Sequence, residues 1–230
     1  MSILSPHGGA RMTGLIRRWI ERLFLAFKKD PRARRFNWPT KEDITLLPPF
    51  AALELDGIVE VAAPGDAQRA YREIMAESVV GFDTESKPTF VKGEVSTGPH
   101  VAQFATLDRA YVFMLHDREC LRVAGKLIGS KTLKKVGFGL SGDLRQVRNQ
   151  LGVEPGEVLD LESLFAERGY GRGVGVKVGV AIALKRRFSK SRKASTSNWK
   201  QRRLTDKQIL YAANDAFAAI RVFHALTTAR

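Results

Sequence analysis

Two carboxylates, Asp83 and Glu85, stand at the end of the run Val79–Glu85 (Val-Val-Gly-Phe-Asp-Thr-Glu), with only Thr84 between them. The β-branched and aromatic residues of that run predict a buried central strand. Side chains alternate along a strand, so Asp83 and Glu85 point the same way. Two adjacent acids repel each other unless a cation joins them, and divalent ions with oxygen ligands suit that position. A strand running into an acidic loop would read the same, so the pair alone decides nothing.

Two further acids lie far along the chain. Lys135–Asp143 reads as a strand, a glycine-rich bend and then Asp143 in the first turn of a helix. Taken alone, Asp143 needs no explanation beyond a favourable place in the helix dipole. In Tyr-Ala-Ala-Asn-Asp, Tyr211 and Asp215 are spaced i, i+4 and share a helix face. An Asp on a largely apolar helix is uncomfortable unless it is paired or bound to metal.

The elements that must position these residues follow from periodicity. Ile58–Val61 predicts a strand, and Asp66 to Glu77 a helix with Ala67, Tyr71, Ile74 and Met75 on one face. Lys87 to Pro99 is a loop. Val101–Leu107 and Arg109–Leu115 form a hairpin about a turn at Asp108-Arg109. Helices are expected over Cys120–Ile128 and over Ser141–Leu151, with Ser141 as N-cap, and also over Val174–Arg187 and Asp206–Ala229. Lys134–Phe138 and Val158–Leu161 complete the strands. A hairpin followed by alternating strands and helices indicates an α/β fold, a mixed central sheet flanked by helices. The small residues Ala212, Ala213, Ala216 and Ala218 would let the last helix lie close to the sheet.

Residues 1–50 differ in composition. Leu15, Ile16, Trp19, Ile20, Leu23, Phe24 and Phe27 alternate with Arg17, Arg18, Arg22, Lys28 and Lys29, which describes a basic amphipathic helix. That helix could pack on the domain or a nucleic acid, form a flexible arm, or serve membrane attachment or targeting. The division expected is a basic N-terminal extension over 1–50 and one globular domain over 51–230. The net charge of +14 favours an anionic partner, nucleic acid or an acidic membrane surface. The single cysteine, Cys120, excludes a disulfide framework and any cysteine-rich zinc site. It suits a reducing compartment, and a cytoplasmic location is expected. No apolar run reaches the ~18 residues of a transmembrane segment.

The acid-bearing segments, in this order and at domain-sized spacing, resemble the DEDD exonucleases of the ribonuclease-H-like superfamily. The closer likeness is to the branch of ribonuclease D and the Werner-syndrome exonuclease domain. Lys87-Pro88-Thr89-Phe90, His100-Val101-Ala102-Gln103 and Ser197-Asn198-Trp199 agree with it. The likeness runs from about Ile58 to the C-terminus. Leu210 stands five positions before Asp215, where a histidine would mark the other subtype, and Tyr211 stands four before, so the chain resembles the tyrosine type.

The resemblance implies a metal-dependent 3′→5′ exonuclease that releases nucleoside 5′-monophosphates from DNA or RNA 3′ ends with two divalent ions, Mg²⁺ or Mn²⁺. Asp83 would bridge both ions, Glu85 and Asp215 would complete the one that activates water, and Asp143 would serve the second. Tyr211 would orient the attacking water. Thr84, Gln103 and Phe104 would contact the terminal nucleotide, and Trp199 is expected to be a core anchor. Between Lys185 and Arg203 the chain carries Lys185, Arg186, Arg187, Lys190, Arg192, Lys193, Lys200, Arg202 and Arg203 and no acid, so residues such as Lys193 and Arg202 would hold phosphates. The competing readings are a catalytically silent nucleic-acid-binding domain on the same fold and a protein docked by its N-terminal helix.

Overall fold

The computed structural model of the chain describes residues 36–89 and 93–228. The expected amphipathic helix between Leu15 and Phe27 lies outside the described residues, as does Phe90. In chain order the elements are α1 (Lys41–Thr45), β1 (Ile58–Val61), α2 (Pro64–Met75), β2 (Val79–Glu85), β3 (Val101–Ala105), β4 (Ala110–Met114), α3 (Arg118–Gly129) and β5 (Lys134–Gly137). There follow α4 (Ser141–Gln146, continued by a π turn over Val147–Leu151), β6 (Val158–Asp160), α5 (Leu161–Glu167), α6 (Val176–Leu184), α7 (Arg192–Ser195) and α8 (Asp206–Thr228).

The strands form one mixed sheet in the order β1-β4-β3-β2-β5-β6. β2, β3 and β4 are antiparallel neighbours, whereas β1 lies parallel to β4 and β5 and β6 run parallel to β2. This is the α/β arrangement of a ribonuclease-H-like fold, with β2 in the middle. Alternation divides the strand residues between two layers. Val80, Phe82, Ala102, Phe104 and Phe113 face α2 and α3, which supply Ile74, Val123 and Leu127. On the other face Val101, Ala105, Val112 and Val136 meet the alanines of α8.

Two expectations change. The Val174–Arg187 helix is shorter, because Lys185 turns left-handed at φ 55° and ends it. Ser141 is not an N-cap: the capping position is Leu140, without a side-chain bond. The amides of Gly139 and Leu140 instead donate to the carboxylate of Asp160, at 3.1 and 2.9 Å. Packing also extends upstream of residue 50. Phe36 N donates to Gly169 O at 3.0 Å, Trp38 Nε1 to Tyr170 O at 2.6 Å, and Leu47 is buried. Phe50 packs its ring against Phe188 and Phe217.

Candidate active site

The site begins with a close approach between a strand and a helix. A Cβ on Gly81 would lie 1.9 Å from the carbonyl oxygen of Ala216, so only glycine lets α8 reach the backbone of β2 here. Ala212, Ala213 and Ala216, all buried, keep the helix flat against the strand. This seating sets Asp215, beside Ala216, over the end of β2, two residues past Gly81. Asn214 fixes the helix along its length by holding both the amide and the carbonyl of Leu53, at 2.7 and 3.1 Å.

One carboxylate oxygen each from Asp83, Glu85 and Asp215 falls within 4.8 Å of the others. Asp83 and Glu85 leave β2 on the face that α8 covers, as their two-residue spacing requires. Burial, then the charges of Asp143 and Asp215, push Asp83 well above the usual carboxylate range. Burial, then Asp83 and Asp215, raise Glu85 to about 9. Asp215 is raised to about 6 by burial, against the lowering effect of Lys190. Its Oδ1 is buried and makes no hydrogen bond among the described residues. Three converging hard-oxygen donors, one of them an orphaned buried atom, fit a divalent cation, which would compensate their repulsion.

Asp143 arrives from the opposite layer. α4 packs through Leu140, Leu144 and Val147 on the α2/α3 side of the sheet, and the Thr84 hydroxyl donates to Asp143 Oδ1. Asp143 stands beside the three converging acids, near enough for its charge to act on Asp83. Asp160 holds the bend that leads into α4 and also caps α5 through the Glu162 amide at 3.0 Å. It is therefore a positioning residue for Asp143.

Lys190 is the site residue that sequence reasoning did not single out. Its ammonium lies 2.7 Å from Asp215 Oδ2 and 5.0 Å from the centroid of the Tyr211 ring. Burial works against its charge, but Asp215 outweighs that and raises the group above its usual range. Tyr211 rests on the buried ring of Trp199, at a centroid distance of 5.8 Å. Burial, then the Asp215 charge, raise its phenol, so it stays a neutral hydroxyl. A cleft of about 300 Å³ opens beside these groups, walled by Phe138, Val174 and Val176.

The other expected contacts divide. Thr84 is buried and its hydroxyl donates to Asp143, so it positions an acid. Phe104 is wholly enclosed between Phe82 and Phe113 in the α2/α3 layer. Gln103 lies opposite Asp83 in the β2–β3 register, fully buried, with neither amide atom hydrogen-bonded among the described residues. Neither residue has surface for substrate. Lys193 and Arg202 are exposed, and Arg202 sits away from the acids in a separate concavity with Arg203 and His116. Trp199 is the core anchor expected.

A family model described as 3′-5′ exonuclease matches residues 58–229. The bifunctional 3′-5′ exonuclease/ATP-dependent helicase WRN of Mus musculus is 27% identical over 150 residues, 64% of this chain and 11% of that protein. A 3′-5′ exonuclease of Arabidopsis thaliana is 29% identical over 150 residues, 64% of this chain and 52% of that protein. The chain thus spans only a tenth to a half of the curated relatives it matches. The crystal structure of Trypanosoma brucei RNase D in complex with RNA U12 superimposes with a TM-score of 0.64 at 18% identity. That match covers 75% of this chain and 63% of the other, and at such identity it speaks for the fold alone.

Proposed function

This chain belongs to the 3′-5′ exonuclease family, and on that footing we propose that it hydrolyses the last phosphodiester of a nucleic-acid 3′ end and releases a nucleoside 5′-monophosphate. The observation that carries the reading is the convergence of Asp83, Glu85 and Asp215 within 4.8 Å. Asp143 stands beside them, and Tyr211 lies one turn before Asp215 on α8.

Asp83, Glu85 and Asp215 would hold a divalent ion, Mg²⁺ or Mn²⁺, and Asp143 with Asp83 would hold a second. When bound, such ions neutralise charge on the phosphoryl oxygens and make water a better nucleophile. The residues of the chain do the rest. Tyr211, kept neutral by burial and Asp215, directs a water by hydrogen bonding and is too weakly acidic to serve as a strong base. Trp199 holds the Tyr211 ring from behind. Thr84 and Asp160 fix where Asp143 points. The cleft beside Phe138 and Val174 gives the leaving nucleotide apolar walls.

The test is hydrolysis of a short single strand with Mg²⁺ or Mn²⁺, beside EDTA, Asp83→Ala and Tyr211→Phe. We expect cleavage that EDTA abolishes, a loss of several orders of magnitude for Asp83→Ala, and a smaller loss for Tyr211→Phe. Tight binding with no cleavage under either metal would leave a silent binding domain.

A further inference from the structure

The segment from Trp199 to Leu204 forms a basic strap across one end of the sheet. It starts at Trp199, buried beneath Tyr211, and ends at buried Leu204 just before α8. Gln208 pins it: its Nε2 donates to Ser197 Oγ at 3.0 Å, and its Oε1 accepts from Gln201 Nε2 at 2.5 Å and the Thr205 amide at 3.1 Å. Between the two apolar anchors, Lys200, Arg202 and Arg203 are exposed. The strap is thus a fixed track.

Its course follows from strand register. Glu85 pairs with Val101, Val101 with Met114, and Phe113 with Val61, so the acid-bearing end of β2, the start of β3 and the ends of β4 and β1 share one edge of the sheet. Lys200 lies close enough to His100, just before β3, to disfavour its charged form, an effect second to burial. Arg202 and Arg203 line a concavity of about 580 Å³ with His116, just past β4, and with Glu60 and Ala62 at the end of β1. Among the described residues Glu60 is the one acid there, against two guanidinium groups.

From β2 to this concavity is two to three strand spacings, on the order of 10–14 Å. At a stacked rise of about 3.4 Å per nucleotide, that distance corresponds to roughly three or four phosphates. Resting on the exonuclease reading, we propose that a single strand whose 3′ end lies at the carboxylates leaves along this strap. The phosphates about three nucleotides upstream then seat between Arg202 and Arg203. The strap would thereby set the length of strand the protein grips, independently of the chemistry.

The experiment compares a dinucleotide with an eight-nucleotide single strand across a salt series, using the full chain, its Arg202→Gln/Arg203→Gln variant and a Lys126→Gln/Lys131→Gln variant. The last removes the same charge from exposed positions on α3 and the loop after it. For the strap variant we expect about a tenfold loss of kcat/KM on the octamer and less than twofold on the dinucleotide. The salt dependence should flatten by about 1.4, two phosphates at ~0.7 each. Equal losses on both lengths, equal losses from the α3-side variant, or no loss on the octamer would overturn the track. Octamer binding is also titrated on an Asp83→Ala background. Failure of the intact protein to cleave either strand would overturn the nuclease reading, and that titration would still decide the path.

Discussion

Replacing Lys190 with methionine tests whether the acidic site carries its own counter-cation. The substitution keeps the apolar stem and removes a charge that sits 2.7 Å from Asp215 Oδ2. At an effective dielectric near 20, a unit pair about 4 Å apart is worth ~4 kcal/mol. The Lys190 side chain is 29% exposed and that of Asp215 only 3%, so solvent screens one end of the pair. Asp215, already raised to about 6, can also take up a proton once its partner is gone. Both effects bring the expected loss to about 2 kcal/mol, below the ~3–5 typical of breaking a fully buried pair. For a chain of this size that is roughly 4–8 °C in Tm. The assay is thermal denaturation near pH 7.5, first in EDTA and then with saturating Mn²⁺. Lys190→Met should melt lower in EDTA, and the gap should narrow with metal, because the ion supplies the missing positive charge. Equal melting temperatures in EDTA would refute the reasoning.

Three further outcomes follow from the same contacts. Gly81→Ala would drive a methyl into the Ala216 carbonyl, so α8 must lift from β2; we expect a loss of about 3 kcal/mol in denaturant unfolding, with metal binding by calorimetry weakened as well. Glu85 and Asp215, raised to about 9 and about 6, bind protons more tightly folded than unfolded, so the metal-free protein should lose stability as pH rises from about 5 to 8. Above 8 the trend should level off, since burial pushes Lys135 and Lys185 down to about 8 and they act with the opposite sign; melts in EDTA across that range check both limbs. Gln103→Met removes a buried amide with no hydrogen-bond partner, and should raise stability by about 1 kcal/mol in denaturant titrations.

Asp83, Glu85 and Asp215 could be placed on their elements from the sequence because local periodicity fixes their faces. Alternation on a strand puts Asp83 and Glu85 on one face, and the i, i+4 spacing puts Tyr211 beside Asp215. The alanines of α8 announced a close helix–strand contact, and Gly81 is the residue that accepts it. What stayed hidden depends on partners far apart in the chain. Ser141 has the type of an N-cap, yet Asp160 from the next strand takes over the amides there. Thr84 lies between the two acids, Gln103 pairs with Asp83 and Phe104 follows Gln103 on β3, but the layers that enclose them are set by the whole sheet. Lys190 carried no signal of its own inside a run of nine basic residues. Only the fold selects it, by bringing its ammonium to Asp215. The division at residue 50 rested on prolines and charge; upstream of it, Phe36 and Trp38 bond to residues more than a hundred positions away, and Phe50 packs on Phe188.

The most direct measurement follows matched strands labelled at the 3′ or the 5′ end, in DNA and in RNA, with Mg²⁺ or Mn²⁺. The account expects a 3′ label to leave at once as a mononucleotide and a 5′ label to pass down a ladder of shortening strands, with both absent for Asp83→Ala. Release of a 5′ label as mononucleotide, internal cutting, or cleavage that survives the loss of Asp83 would contradict it.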